Sequence, residues 1–351
     1  MTGLLEKTEK QIRPADPEVE QAARCHWDAI AHPLHSLGKL EDAIVQIAGI
    51  QGTADVRLDK KGLIIMCADN GVVAEGVTQT GQEVTAQVAE NFLTDRATAA
   101  ILCREAGTDI FPIDIGMARD TKVRKCKVLN GTGDIALGPA MTREDAVRAI
   151  ETGIRIAQEK AEAGYKILAT GEMGIGNTTT SSAMASVFLH QPVEQMTGRG
   201  AGLSSEGLER KIRVIRKSIE RNRPDPEDPV DVLAKVGGLD IAGLAGVFIG
   251  GAACRIPVVI DGFISAVAAL TAYRICSASV AYMLPSHMSG EPAASLVLDA
   301  LSLSPFLTCQ MSLGEGTGAV MLFPLLDMAL KVYDSMSTFD EDGIEAYRHL
   351  S

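Results

Sequence analysis

Two acidic residues set among glycines, Glu172 and Glu315, are the side chains in this sequence best suited to moving a proton. Glu172 follows Gly171, and Glu315 lies between Gly314 and Gly316. A carboxylate in a closed, glycine-rich loop is kept partly dry, which raises its pKa and suits it to accept a proton. An acidic residue near a helix start also serves the helix dipole, and spacing alone leaves both roles open for Glu315. The segment around Glu172 continues through Gly174, Ile175, Gly176 and Asn177 into a block of hydroxyls, residues 178–182, that begins with Thr178. An apolar run at 167–169 precedes it, so the order is strand, flexible turn, helix start. Glycines let the backbone approach a ligand, and a helix N-terminus offers free N–H donors with partial positive charge. That combination suits a phosphate; the alternative is a tight strand-to-helix turn with no ligand.

Other chemistries lack their signatures. No lysine follows Gly176, so this is not a Walker A loop, and the third glycine of a dinucleotide fingerprint is missing. There is no G-x-S-x-G nucleophile elbow and no H-E-x-x-H zinc motif. The seven cysteines are scattered without a C-x-x-C pair, and His26, His32 and His35 are split by Pro33. No metal or cofactor is expected. What remains is group transfer between organic phosphates, with one general base and no covalent intermediate.

A chain of 351 residues with 34 glycines, 46% hydrophobic and 22% charged residues, is expected to be globular, and its length suggests about two domains. A net charge of −12 argues against a nucleic-acid surface, which needs a basic stripe. The first 20 residues are charged and lack the apolar core of a secretory signal. The most apolar windows, 241–254 and 264–272, fall short of the roughly 20 residues that cross a bilayer. A cytoplasmic location with no membrane partner is the expectation.

The elements that must position these residues follow from hydrophobic pattern. The continuous apolar run at 63–67 reads as a buried parallel strand, and the segments 110–115, 123–129, 166–169, 258–260 and 280–283 read as further strands. Helical spacing separates them, including 143–163, 178–189, 206–221, 240–254 and 319–336. The fold class is therefore α/β, a doubly wound and mainly parallel sheet. Residues 16–50 read as helices broken at Pro33, and neither flank supplies clear strands. We expect a small helical domain from both termini, 1–55 and 325–351, and a large α/β domain over 56–324. Ligands of open α/β sheets lie beyond the carboxyl ends of the strands. Five apolar runs end in polar loops there: Asp69-Asn70, Asp114, 172–180, Asp261 and 286–291.

Six segments together carry a family resemblance: GEMGIGNTTTSSA at Gly171, GRGAGL at Gly198, VGGLDIAGLAG at Val236, DGFISAVAAL at Asp261, SHMSGEP at Ser286 and LGEGTGA at Leu313. In this order, from Asp69 to the C-terminal helix, the chain resembles the nicotinate-nucleotide:dimethylbenzimidazole phosphoribosyltransferases of cobamide biosynthesis. The resemblance implies Rossmann-like connectivity, and transfer of the 5-phosphoribosyl group of nicotinate mononucleotide to a lower-ligand base, with inversion and release of nicotinate. Glu315 matches the family's catalytic glutamate, and Glu172 and Lys211 fall at active-site positions. Gly174 to Thr178, with Ser289 and Gly290, match positions that cradle the nucleotide phosphate. The family also implies a dimer whose partner helps close the site, here a homodimer or a heterodimer with a homologue.

The chain departs from the family around its acceptor loop. Where many members carry Asp-His-Gly and then Ser-Ala-Tyr/Phe-Pro-Gln, this sequence has Asn70, and Thr78-Gln79-Thr80-Gly81-Gln82. Thr80 thus replaces an aromatic expected to lie against a benzimidazole, a loss of about 0.5–1.5 kcal/mol in stacking. Asn70, Thr78, Thr80 and Gln82 are the expected acceptor pocket, and the expected acceptor is smaller or more polar, such as a phenol or a purine. The competing expectation is a weakly active or non-catalytic paralogous subunit that pairs with an active homologue.

Overall fold

Alternate residues of the first strand feed two different cores. In β1 (Lys61–Ala68), Ile64, Met66 and Ala68 point to one face of the sheet, and Leu63, Ile65 and Cys67 to the other. Both faces are covered by helices, which is why the run reads as continuously apolar. Fully burying each such side chain contributes about 1.5–3 kcal/mol, so the strand register is strongly set.

The computed structural model describes residues 3–347. Its sheet has the order β3-β2-β1-β4-β5-β6, all parallel. The other strands are β2 (Thr108–Gly116), β3 (Arg124–Lys125), β4 (Ile167–Met173), β5 (Val258–Ile260) and β6 (Met283–Pro285). This is the doubly wound Rossmann order, whose switch point lies between β1 and β4.

Three strands differ from their sequence-based limits. β4 runs on through Gly171 and Glu172, which pair with Ile65 and Met66 of β1, so the turn starts only at Gly174. The run at 123–129 shrinks to the ladder pair Arg124–Lys125, because charged residues interrupt it at the sheet edge; such charges blunt an edge strand. Residues Ser277–Tyr282 wind as a 3-10 turn, and the last strand begins at Met283 opposite Val258.

One face is covered by Arg143–Glu162, Asn177–Leu189, Leu239–Ala253 and Phe263–Ile275. The helices Arg143–Glu162 and Leu239–Ala253 cross at glycines. A Cβ on Gly153 would overlap the carbonyl oxygen of Gly243, and one on Gly246 would overlap that of Ile150. Gly243 and Gly246 of the segment at Val236 therefore serve helix packing.

The opposite face is covered by Pro17–Ala29, Lys39–Gln51, Glu83–Asn91, Thr98–Glu105 and Thr317–Ser335. The chain ends meet there: the rings of Trp27 and Tyr333 are 5.1 Å apart, and Ile30 bridges Thr338. These residues share one core with Leu63 and Ile65 of β1. The boundary expected at 325 falls inside Thr317–Ser335, which continues past Pro324. Residues 1–2 and 348–351 of the expected terminal domain lie outside the described residues. No helix of the described residues is long and apolar enough to cross a membrane.

Candidate active site

Glu315 sits in a turn of three successive left-handed residues, Gly314 (φ 84°), Glu315 (φ 61°) and Gly316 (φ 83°). An L-residue there costs about 1–2 kcal/mol, strain that persists only where the surroundings impose it. The turn leads into Thr317–Ser335 and is backed by β4. A Cβ on Gly171 would come within 2.8 Å of the Glu315 carbonyl carbon and oxygen. Only glycine at 171 lets the turn lie this close.

The turn forms one wall of a cavity of about 240 Å³ at the carboxyl edge of the sheet. The loops after β4, β5 and β6 and the segments 77–80 and 199–203 supply the rest. Burial raises the pKa of Glu315; a 3.5 Å hydrogen bond from the Ala99 N–H to Oε2 opposes this, and the charge of Asp261 adds to it. Burial raises Glu172 well above the usual carboxylate range, against a hydrogen bond from Asn177; repulsion from Asp240, Asp261 and Glu315 reinforces it. Asn177 Nδ2 donates to Glu172 Oε2 and, at 2.8 Å, to Asp240 Oδ2. Burial pushes Asp240 up to about 6 despite that bond.

Cationic groups lie beside Thr178 and in the segment 199–203. Lys211, buried on Ser205–Asn222, donates from Nζ to Thr178 Oγ1 at 2.9 Å and to the Gly198 carbonyl at 3.2 Å. Burial brings its pKa down to about 8, and the nearby Glu291 charge works the other way. Arg199 stands at the exposed rim and donates to the Leu203 carbonyl at 2.7 Å. Thr178 opens on the cavity at the start of Asn177–Leu189, just after Gly176 (φ 97°). The remaining hydroxyls, Thr179 to Ser182, are buried inside the packing. The site therefore combines an anion donor at Thr178 with acidic side chains at Glu172 and Glu315, and Asn177 joins Glu172 to the start of the same helix.

The structure brings Glu172, Gly174, Ile175, Gly176, Asn177, Thr178, Ser289, Glu315, Thr78 and Thr80 to the cavity wall. It does not bring Asn70, Gln82, Lys211 or Gly290 there. Asn70 is buried behind the loop, with Nδ2 3.5 Å from the Ile175 carbonyl, and Gln82 Nε2 donates to the Asn70 carbonyl at 3.0 Å. Gln82 faces a second cleft of about 420 Å³ beside Asp69. The Asn177 side chain is engaged by Glu172 and Asp240, and its N–H donates to the Gly174 carbonyl at 3.0 Å. Gly290 is exposed, its N–H donating to the Met311 carbonyl.

Sequence reasoning did not single out Asp240, Arg199, Phe263 or Glu291. Arg199 and Asp240 lay within glycine-rich segments whose spacing drew attention to the glycines. Phe263, the aromatic ring of this wall, follows the polar loop of Asp261. Among the described residues no group of three or more His, Cys, Asp or Glu side chains has the arrangement of a metal site.

A sequence model of a phosphoribosyltransferase family matches residues 12–344. The chain is 49% identical over 348 residues to the nicotinate-nucleotide–dimethylbenzimidazole phosphoribosyltransferase of Acetivibrio thermocellus, covering 98% of this chain and 99% of that one. It is 47% identical over 348 residues to the protein of the same name from Ruminiclostridium cellulolyticum, again covering 98% and 99%. Among solved structures, the crystal structure of CobT from Thermus thermophilus superposes with a TM-score of 0.89 at 37% identity, covering 94% of this chain and 100% of that one.

Proposed function

The chain belongs to the nicotinate-nucleotide–dimethylbenzimidazole phosphoribosyltransferase family, and we propose that it transfers the 5-phosphoribosyl group of nicotinate mononucleotide to a cobamide lower-ligand base. The observation that carries this is one cavity whose wall holds both the glycine-rich start of a helix and the strained turn of Glu315. The donor phosphate is taken along the loop 174–178 by the backbone of Gly174, Gly176 and Thr178, by Ser289 and by the Thr178 hydroxyl, which Lys211 orients; the Ile175 and Asn177 N–H groups are held by Thr85 and Gly174 and shape the loop. The ribose then lies towards Glu172 and Glu315.

The acceptor, through a ring nitrogen of a purine or azole or the hydroxyl oxygen of a phenol, attacks the anomeric carbon as the bond from that carbon to the nicotinate nitrogen breaks. The bonding pair leaves with nicotinate, and the acceptor's proton passes to Glu315. Attack opposite the leaving group inverts the centre and gives an α-riboside 5'-phosphate. Positive charge that develops on the ribose meets the carboxylate end of the cavity, an arrangement that favours the transition state over the ground state. Holding both reactants in line supplies much of the remaining rate.

For the acceptor, Thr78 and Thr80, joined by a 2.8 Å hydrogen bond from the Thr78 hydroxyl to the Thr80 carbonyl, give the wall a polar segment, and Phe263 gives it one ring. This supports a phenol or a purine as a better acceptor than dimethylbenzimidazole. Competition among equimolar dimethylbenzimidazole, adenine and phenol, with the anomer assigned by proton NMR, tests both points. Clear preference for dimethylbenzimidazole removes the acceptor proposal, and a β-linked product removes inversion.

We also propose that the helices of 1–55 and 325–351 act as a small domain that meets a second subunit. Met328, 58% exposed on Thr317–Ser335, and Met336, 40% exposed just beyond it, support such a contact. A monomer in sedimentation velocity at micromolar concentration would exclude it.

A further inference from the structure

The carboxylate of Asp261, the residue after β5, is buried and turned towards the Glu315 turn. Its Oδ2 accepts from the Gly316 N–H at 3.0 Å, and its Oδ1 from the N–H groups of Gly318 and Ala319 at 2.8 and 3.1 Å. These donors lie at the start of Thr317–Ser335, where backbone N–H groups have no partner within the helix. Asp261 is itself anchored. Its N–H donates to Ser265 Oγ at 3.2 Å, and Ser265 Oγ shares a hydrogen with Thr170 Oγ1 of β4 at 2.5 Å. One connected path thus runs from the sheet through Ser265 and Asp261 to the turn.

We infer that Asp261 is a positioning residue for the proposed base: it clamps the left-handed turn so that Glu315 points into the cavity. This rests on the phosphoribosyl-transfer function proposed above. Hydrogen bonds to a charged acceptor are roughly twice as strong as neutral ones, and here one holds the turn at Gly316 and two hold the first turn of the helix that follows it. The ionisable groups facing Asp261 are Glu172 on β4, Glu315 on the turn and His287 after β6. The negative charge of Asp261 also strengthens the hold of Glu315 on a proton.

Two substitutions separate clamp from charge. Asp261→Asn keeps an acceptor oxygen and loses the charge, and Asp261→Ala loses both. Each is assayed for kcat, KM for nicotinate mononucleotide and the pH profile of kcat, with thermal melting and calorimetric donor binding to establish folding. We expect Asp261→Asn to lower kcat about 10- to 100-fold, the range a misplaced catalytic group produces, with KM changed less than about threefold. The acidic limb of kcat should move to lower pH, because Glu315 ionises more easily once the neighbouring charge is gone. Asp261→Ala should lose more in kcat. A wild-type kcat with an unmoved acidic limb in folded Asp261→Asn overturns the inference while leaving the proposed function intact, as does a rise confined to KM. A wild-type chain that releases no nicotinate with any acceptor overturns both.

Discussion

Gly171 and Glu315 are 144 positions apart in the chain, yet a Cβ on Gly171 would touch the Glu315 backbone at 2.8 Å. The strand that carries Glu172 is thus also the platform for the turn that carries Glu315. A methyl group here cannot be absorbed by a flexible side chain, because the atoms it meets are backbone. Gly171→Ala should push the turn back from the cavity, lowering kcat about 100-fold and stability by about 1–3 kcal/mol. Steady-state nicotinate release and denaturant melts measure the two effects.

Lys211 gives the donor end its own pH dependence. Burial brings its pKa down to about 8, so it is cationic below that value and neutral above it. Its charge supports phosphate binding through Thr178, and kcat/KM for the donor should therefore fall with loss of one proton as pH rises through about 8. Lys211→Met should abolish this limb and lower kcat/KM about 10- to 100-fold, the equivalent of about 1.5–3 kcal/mol for a hydrogen bond to a charged group. A profile flat from pH 7 to 9 in the native chain contradicts the assignment.

Asp240 should cost the protein stability at neutral pH. Its pKa is raised from 3.8 to about 6, so between those values the folded state holds the proton more tightly than the unfolded state. Stability then falls as pH rises through this window, and the full cost, about 3 kcal/mol, is present above it. Asp240 Oδ1 and Asn70 Oδ1 are both buried without a partner, and both face Gly238. An amide at 240 retains an acceptor for Asn177 and offers N–H groups to Asn70. Asp240→Asn should therefore melt at a higher temperature than the native chain at pH 8, with the difference shrinking towards pH 4. Equal melting temperatures at pH 8 would count against it.

The sheet was legible because its central strands β1, β4 and β5 are buried on both faces and read as largely apolar runs, whereas the exposed edge pair Arg124–Lys125 was overextended. Its carboxyl edge followed, since every such run ended in a polar loop. Gly171 and Glu172 were misread as a turn: glycine dominates local pattern, whereas pairing with Ile65 and Met66 decides the outcome. Asn70 and Gln82 seemed to face a ligand because they are polar near a strand end, but their hydrogen bonds with Ile175 and with each other hold the loop from behind. Asp240 was hidden in an apolar helix, 63 residues from the Asn177 amide that ties it to Glu172. Contacts of this kind depend on tertiary placement, which spacing along the chain does not encode.

The central proposal is that this chain moves a phosphoribosyl group and that Glu315 accepts the acceptor's proton. The most direct test compares the native chain with Glu315→Gln, purified alone, on nicotinate mononucleotide with and without a lower-ligand base. The native chain should release nicotinate only with a base present, one per α-riboside 5'-phosphate formed. Glu315→Gln should bind the donor as well but turn over about 100- to 10,000-fold more slowly, the usual contribution of a general base. Undiminished nicotinate release by Glu315→Gln, or none by the native chain with any base, would contradict it.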